Sequence, residues 1–378
     1  MRLLSLKSDA EEDTFRRLDV IVAQGAGIQS TGKGASLSRR KASAAGEWLE
    51  RLALVSAKPH RYSPMRALGP QAISPMEFGL DYPDERPAQT IPFDTSAEVG
   101  WFAARSLGSG QQRWLHRPGW HEAGFYRPTS NGAAVGRTQE ATAERAVAEL
   151  LERDAFLRWW YGFTAAIPLT CRTPEWQHVA EWLRRAKWRL HAYLLPSLCA
   201  YPIALAVATR VNAAGAPMAS IIGLGTASGG EAATNQEDAA TEAALEIVQA
   251  LEGFRLAERT GIPPTGDLVR FLTPAGADTV VSKLLALGTS ATAVDPDSLQ
   301  PTACSAALEA GIDMWLVTYD IPALAKHGAH CVQAFSRDTL PFALTGKGRR
   351  LDHHVVDELL HTWGRDGTTI PPLPHPLG

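Results

Sequence analysis

Two stretches of this 378-residue chain repeat one arrangement of acids and arginine. AGEWLER (45–51) carries Glu47, Glu50 and Arg51 at the spacing at which AELLERD (148–154) carries Glu149, Glu152 and Arg153. Extended toward the N-terminus, the pattern becomes three polar lines: Ser43, Glu47 and Glu50; Arg145, Glu149 and Glu152; Glu242, Glu246 and Gln249. On a helix turning ~100° per residue, positions 0, +4 and +7 fall in a stripe roughly 60° wide. The residues around each stripe are apolar or small, which is unusual for a merely solvated face. If the lines converge, their carboxylates repel one another and hold protons unless cations neutralise them. Hard divalent ions with oxygen ligands do this, magnesium above all when phosphates share the site. Arginines beside the acids suit phosphate oxygens, which they bind bidentately. The chemistry indicated is a magnesium–nucleotide site. The alternative for any single copy is an exposed i, i+4 ion pair worth about 0.3 kcal/mol.

A Gly-rich stretch precedes each line: QGAGIQSTGKGAS, TSNGAAVGRT and GLGTASGGEAATN. Such turns at helix N-termini offer N–H groups and a favourable dipole to anions. GKG at 32–34 lacks the full P-loop pattern. The periodicity predicts helices over about 38–55, 139–160, 176–188, 237–258, 278–287 and 303–310. Strands are expected at about 190–196, 203–209, 218–225, 313–320 and 330–336, with strand and loop before 35 and short strands and loops over 56–130. The proline-rich tail TTIPPLPHPLG fits neither helix nor central strand. No segment reads as a linker, so the expectation is one α+β unit with helices packed on mixed sheets.

The chain is 45% hydrophobic and 20% charged, enough for a sizeable core, and its net charge of −3 carries no nucleic-acid footprint. Arg39-Arg40-Lys41 reads as a solvated turn at a helix start. Cys171, Cys199, Cys304 and Cys331 are widely spaced, which favours reduced thiols over a zinc site or disulfides. With no signal-peptide core and no apolar run near the ~18 residues of a membrane span, the expected location is the cytoplasm. Asp352-His353-His354 lacks a third ligand at suitable spacing and reads as surface or hinge. His330-Cys331 sits in a stretch that reads as a buried strand rather than a nucleophile site. Trp48, Trp159 and Trp160 read as core.

GKGASLSRRKASAAGEWLER, SNGAAVGRTQEATAERAVAELLERDA and GLGTASGGEAATNQEDAATEAALEIVQALEGFR resemble, in order, the three signatures of the YcaO family. The resemblance covers residue 20 to the end and implies a single YcaO-type domain over 1–378, with a Pro-rich tail at 368–378. It implies ATP and magnesium as cofactors, with Glu47, Glu50, Glu149, Glu152 and Glu246 as metal ligands. Lys33, Ser43, Arg51, Asn131, Arg153, Gln249 and Arg255 are the implied nucleotide contacts. PLPHP (372–376) is similar to the PxPxP ending of azoline-forming members, whose C-terminus reaches into the active site. That makes Pro376 and Gly378 the implied catalytic residues, the terminal carboxylate acting as base, although Leu377 and Gly378 extend past the last proline.

The implied reaction is ATP-dependent cyclodehydration of Cys, Ser or Thr in a ribosomally made precursor peptide to thiazolines or oxazolines. The implied partners are the precursor peptide, a separate leader-binding protein (no fused recognition domain is evident before GKG) and a flavin-dependent azoline dehydrogenase, in a hetero-oligomeric synthetase. Two readings stand beside it: thioamidation with an external sulfur donor, and a non-catalytic scaffold that docks a partner enzyme.

Overall fold

The computed structural model describes residues 2–5, 21–25, 28–33, 37–80, 90–118, 122, 124–226, 232–260, 271–286, 302–326, 328–342 and 353–362. The tail with Pro376 and Gly378, Gly34, Asp352 and the glycines at 229–230 lie outside the described residues.

Three sheets organise the described residues. The first is an antiparallel set of β1 (Arg2–Ser5), β2 (Ile21–Gly25) and β3 (Ile28–Gly32). Helix α1 (Leu37–Ser56) follows and packs on β3. Next come β4 (Arg61–Pro64), α2 (Met65–Leu68), β5 (Ala72–Ile73), β6 (Glu98–Ser106), β7 (Gln112–His116) and β8 (Ala133–Gly136). Helix α3 (Gln139–Trp160) leads to β9 (Ile167–Leu169), α4 (Pro174–Arg185), β10 (Arg189–Leu194), β11 (Ile203–Val211), β12 (Pro217–Thr226) and α5 (Ala232–Thr260). The chain continues through α6 (Pro274–Ala286), α7 (Ala303–Glu309), β13 (Met314–Tyr319), α8 (Pro322–Ala325), β14 (His330–Ser336) and α9 (His354–Thr362). The largest sheet has the order β5-β7-β6-β13-β14-β8, with β4 paired to β6, and is antiparallel except for β5–β7. The second sheet runs β12-β11-β10-β9, antiparallel throughout.

Helix α3 lies between these two sheets, packed on β14 and β8 on one side and on β12 and β11 on the other. That is why most of its side chains are buried, and all from Asp154 to Trp160, the condition for a helix apolar around most of its circumference. Thr138 starts it, its Oγ1 accepting the Ala141 N–H at 3.2 Å. Strand β11 shows what a strand buried on both faces requires. Ile203, Leu205 and Val207 join the core around α3, while Ala204, Ala206 and Ala208 face the layer of α5. The small residues let α5 approach closely. On β12, a Cβ at Gly223 would lie 2.1 Å from the Ala243 carbonyl oxygen, and one at Gly225 would lie 2.3 Å from that of Ala239.

These two glycines, expected both in the strand over 218–225 and at the head of a Gly-rich anion-binding stretch, lie in β12 and serve strand–helix packing. The stretch TSNGAAVGRT likewise contains strand β8, paired to β14, rather than an uninterrupted turn. Between 56 and 130 the chain builds a nine-residue central strand, β6, where only short strands were expected. Helix α4 begins at Pro174 because Thr173 caps it and proline suits the first helical position, and it stops before Lys187, whose φ of 65° leaves the helical region. The Arg39–Lys41 run lies inside α1, with Arg40 buried, so it is not a solvated turn. All four cysteines are free, and burial pushes the Cys331 thiol up to about 12. His353 is buried against the Glu77 carbonyl oxygen at 2.8 Å, a structural contact. No helix among the described residues is long and apolar enough to cross a membrane.

Candidate functional site: a carboxylate cluster between three helices

Helices α1, α3 and α5 bring the three polar lines together. Glu246 of α5 is the hub. Its Oε1 accepts from Lys33 Nζ at 2.8 Å, and its Oε2 accepts the Leu224 N–H at 3.0 Å. The second bond follows from the glycines flanking Leu224, since only their missing Cβ atoms let α5 lie against β12. Lys33, at the end of β3, is fixed by a 3.3 Å bond from its own N–H to Ser43 Oγ on α1. Arg153 of α3 stands 4.0 Å from Glu152 and rests 5.6 Å over the Phe342 ring. Glu149 accepts the N–H of Gly132, a residue at φ +70° whose Cβ would lie 2.6 Å from the Ala334 carbonyl. Gln333 of β14 holds that loop, donating to the carbonyls of Thr129 at 3.0 Å and Asn131 at 2.9 Å and accepting from Tyr319 Oη at 2.6 Å.

The electrostatics are those of crowded acids. Burial raises Glu149 to about 7, with Glu246 adding to the rise against Arg153. Burial raises Glu152 to about 8, helped by Glu246 and opposed by Arg153 and Lys33. Glu50 is held well above its ordinary value by burial, Glu149 and Glu47. Glu246 goes the other way: burial pushes it up, but Lys33, Arg153 and the Leu224 N–H outweigh that, so it is the ionised member.

A stability prediction follows. Glutamates whose folded values lie above their unfolded ones contribute stability that is complete below the unfolded value and lost as pH rises through the folded values. The ligand-free protein should therefore lose several degrees of Tm between about pH 6 and pH 8.5, and Glu152→Gln should flatten the profile. A thermal melt series that is flat across this range in the wild type would remove the buried-acid account.

Beside the cluster opens a cleft of about 590 Å3, bordered by Lys33, Arg39, Glu144, Glu152, Tyr201 and Glu242. Its size is that of a small-molecule site. Among the described residues no group of three acidic, histidine or cysteine side chains is already arranged to enclose a metal. Magnesium does not need such a cage, since it usually takes one or two carboxylates and completes its shell with phosphate oxygens and water. The donor set fits a magnesium–nucleotide: proton-holding carboxylates for the ion, Lys33 and Arg153 for phosphates.

The expected residues fall into three groups. Lys33, Ser43, Glu50, Glu149, Glu152, Arg153 and Glu246 are brought together. Gln249 lies one turn beyond Glu246, half-buried. Glu47 and Arg51 make an i, i+4 ion pair at 2.5 Å, with Arg51 half exposed, while Glu47 still acts on Glu50. Asn131 precedes Gly132, which donates to Glu149, and also lines a neighbouring cavity. Arg255 is not brought in: it pairs with Glu252 and stacks 5.1 Å over Trp182 of α4. Sequence reasoning missed Arg39, read as part of a turn, and Tyr201, which carries no motif. It also missed Gln333, hidden in an apolar strand.

The family model described as YcaO cyclodehydratase, ATP- and Mg2+-binding, matches residues 31–337. No curated protein sequence matches the chain. Among solved structures, a heterocyclase in complex with substrate and cofactor shares 19% identity at a TM-score of 0.71, covering 100% of this chain and 54% of its own. YcaO from Methanopyrus kandleri, bound with AMPPCP and Mg2+, shares 18% at 0.59, covering 90% of this chain and 86% of its own. The E. coli microcin synthetase McbBCD complex shares 12% at 0.65, covering 98% of this chain and 100% of the matched chain. The chain spans about half the length of the heterocyclases it matches, at 54% and 48%. The ordered signatures, the acids they bring to one place and a family model spanning residues 31–337 have one conclusion: this chain belongs to the YcaO cyclodehydratase family, whose members bind ATP and Mg2+.

Proposed function

We propose that the chain is the ATP-dependent cyclodehydratase subunit of a synthetase that converts Cys, Ser or Thr residues of a ribosomally made peptide to azolines. The observation that carries this is the set of glutamates, Glu152 buried and Glu50, Glu149 and Glu246 half-buried, gathered by three helices beside an open cleft. In the reaction, the Cys, Ser or Thr side chain attacks the preceding amide carbonyl and gives up its proton to a base. Bound ATP supplies the phosphoryl group that makes the amide oxygen a leaving group. Loss of phosphate and of the amide proton then leaves the C=N bond of the azoline. Glu50, Glu149, Glu152 and Glu246 hold the metal, with Glu47 at the margin. Lys33 and Arg153 balance charge on the phosphates in a preorganised, partly dry site. Ser43 orients Lys33 through its backbone, and Gln249 extends the α5 line toward the nucleotide. The terminal carboxylate at Gly378, carried by the stiff segment ending at Pro376, is the proposed base. A leader-binding protein presents the peptide, and a flavin-dependent dehydrogenase oxidises azolines to azoles.

The test pairs the chain and any co-purifying partner with a short Cys/Ser/Thr-rich peptide encoded beside it. The expected result is loss of one water per ring by mass spectrometry, with matching release of ADP and phosphate. Exchange of oxygen for sulfur without ring closure would instead make the chain a thioamidating enzyme. No ATP turnover, with a partner enzyme activated in its presence, would make it a scaffold.

A further inference from the structure

Arg117, just after β7, is 1% exposed. Its Nη1 donates weakly to the Leu54 carbonyl at 3.4 Å, and its guanidinium stands 5.2 Å over the Tyr319 ring. Its Nε and Nη2 have no hydrogen-bond partner, and no carboxylate pairs with it, among the described residues. Arginine stays protonated in proteins, so a buried guanidinium with two orphaned donors is a strongly unfavourable arrangement until an anion completes it. Arg117 lines a cavity of about 50 Å3 with Tyr126, Asn131, Gln333, Phe335 and Phe342. Asn131, another residue of this lining, has a buried Oδ1 that is also unsatisfied among the described residues. The edge of the cavity thus holds paired donors able to grip an oxyanion and one acceptor for an N–H, each unsatisfied and itself shielded from solvent, among aromatic rings. Two contacts tie it to the carboxylate cluster: Phe342 lies under Arg153, and Gly132, next to Asn131, donates to Glu149.

We infer that this cavity is a carboxylate-binding subsite for the peptide, in which Arg117 takes the carboxylate and Asn131 Oδ1 takes a neighbouring amide N–H. The inference rests on the proposed peptide substrate, and it adds a requirement that the ring-forming reaction itself does not impose: an acidic group near the modified residue. The carboxylate has two possible sources, a peptide C-terminus or an acidic side chain.

Binding of small probes tests the subsite without any turnover, so a chain that fails to cyclise peptides would still show it. N-acetylglycine presents a terminus and N-acetylaspartic acid α-amide presents a side chain; both are titrated by ligand-observed NMR against wild type, Arg117→Gln and Thr129→Trp. Thr129 also lines the cavity, so tryptophan there fills the space while leaving Arg117 in place. At least one probe should bind the wild type and bind each folded variant at least tenfold more weakly, and the tighter probe identifies the source. If Arg117→Gln does not fold, Thr129→Trp decides alone. Equal binding by wild type and a folded variant, or no binding to folded wild type at ~50 mM probe, would overturn the subsite.

Discussion

Glu246→Gln is expected to weaken magnesium-dependent ATP binding by at least about 30-fold, roughly 2 kcal/mol. The substitution keeps size and shape but removes the charge at the hub. Lys33 loses the partner 2.8 Å away, and a half-buried ammonium is left to find water. Breaking a fully buried pair by removing one partner costs about 3–5 kcal/mol, and the partial exposure of both groups here lowers that figure. The amide also cannot replace a carboxylate toward a hard cation, and changes around metal ligands typically cost 10–100-fold in affinity, roughly the same range. A second consequence separates this from simple misfolding. Glu246 helps push Glu149 and Glu152 up, so both should titrate lower in the variant. Affinity within about threefold of the wild type, with unchanged carboxyl titration by NMR, would take Glu246 out of the site.

Asp154→Ala should have the largest effect on stability, on the order of 3 kcal/mol, and lower Tm by roughly 4 °C. Asp154 closes the ExxERD motif but turns away from the cleft. It is 1% exposed, pairs with Arg158 at 2.6 Å and accepts the Leu340 N–H at 2.7 Å. Arg158 in turn reaches the Asp338 carbonyl at 3.2 Å. The aspartate thus ties α3 to the segment after β14, which carries Phe342 to its place beneath Arg153. Removing it strands a buried guanidinium and a buried N–H together. Below its melting temperature the variant should still bind magnesium–ATP within a few-fold of the wild type. A Tm change under about 2 °C in thermal melts would show that the pair contributes no more than an exposed one.

What the sequence reveals and what it hides divide along the range of the interaction. Helix α3 is predicted to the residue because its signals are local: a threonine cap, then an unbroken helix-forming run. Strand β14 is equally legible from HCVQAFS. The three acid stripes are visible because period and polarity conflict with their apolar surroundings. The Lys33–Glu246 contact spans 213 positions, and no spacing rule reaches that far. Gly223 and Gly225 belonged to two readings at once, the strand over 218–225 and an anion-binding stretch, because glycine marks a loop and a close approach alike. Strand β8 was masked by the Asn-Gly before it. Arg255 carried a motif match into a pair with Glu252, since the six positions that separate it from Gln249 turn its side chain about 240° around the helix, off the acid line. Arg117 had no neighbour in sequence to mark it; its importance comes from burial without a partner.

The most direct test of the central claim is calorimetric titration of ATP into the wild type and Glu149→Gln, with and without magnesium, in buffers of different ionisation enthalpy near pH 7. At that pH Glu149 and Glu152, at about 7 and about 8, still hold protons that a bound cation displaces. The account predicts binding that requires magnesium, releases roughly one proton per nucleotide and is lost or severely weakened in the variant. Binding that is indifferent to magnesium, releases no proton and is equal in the two proteins would contradict it.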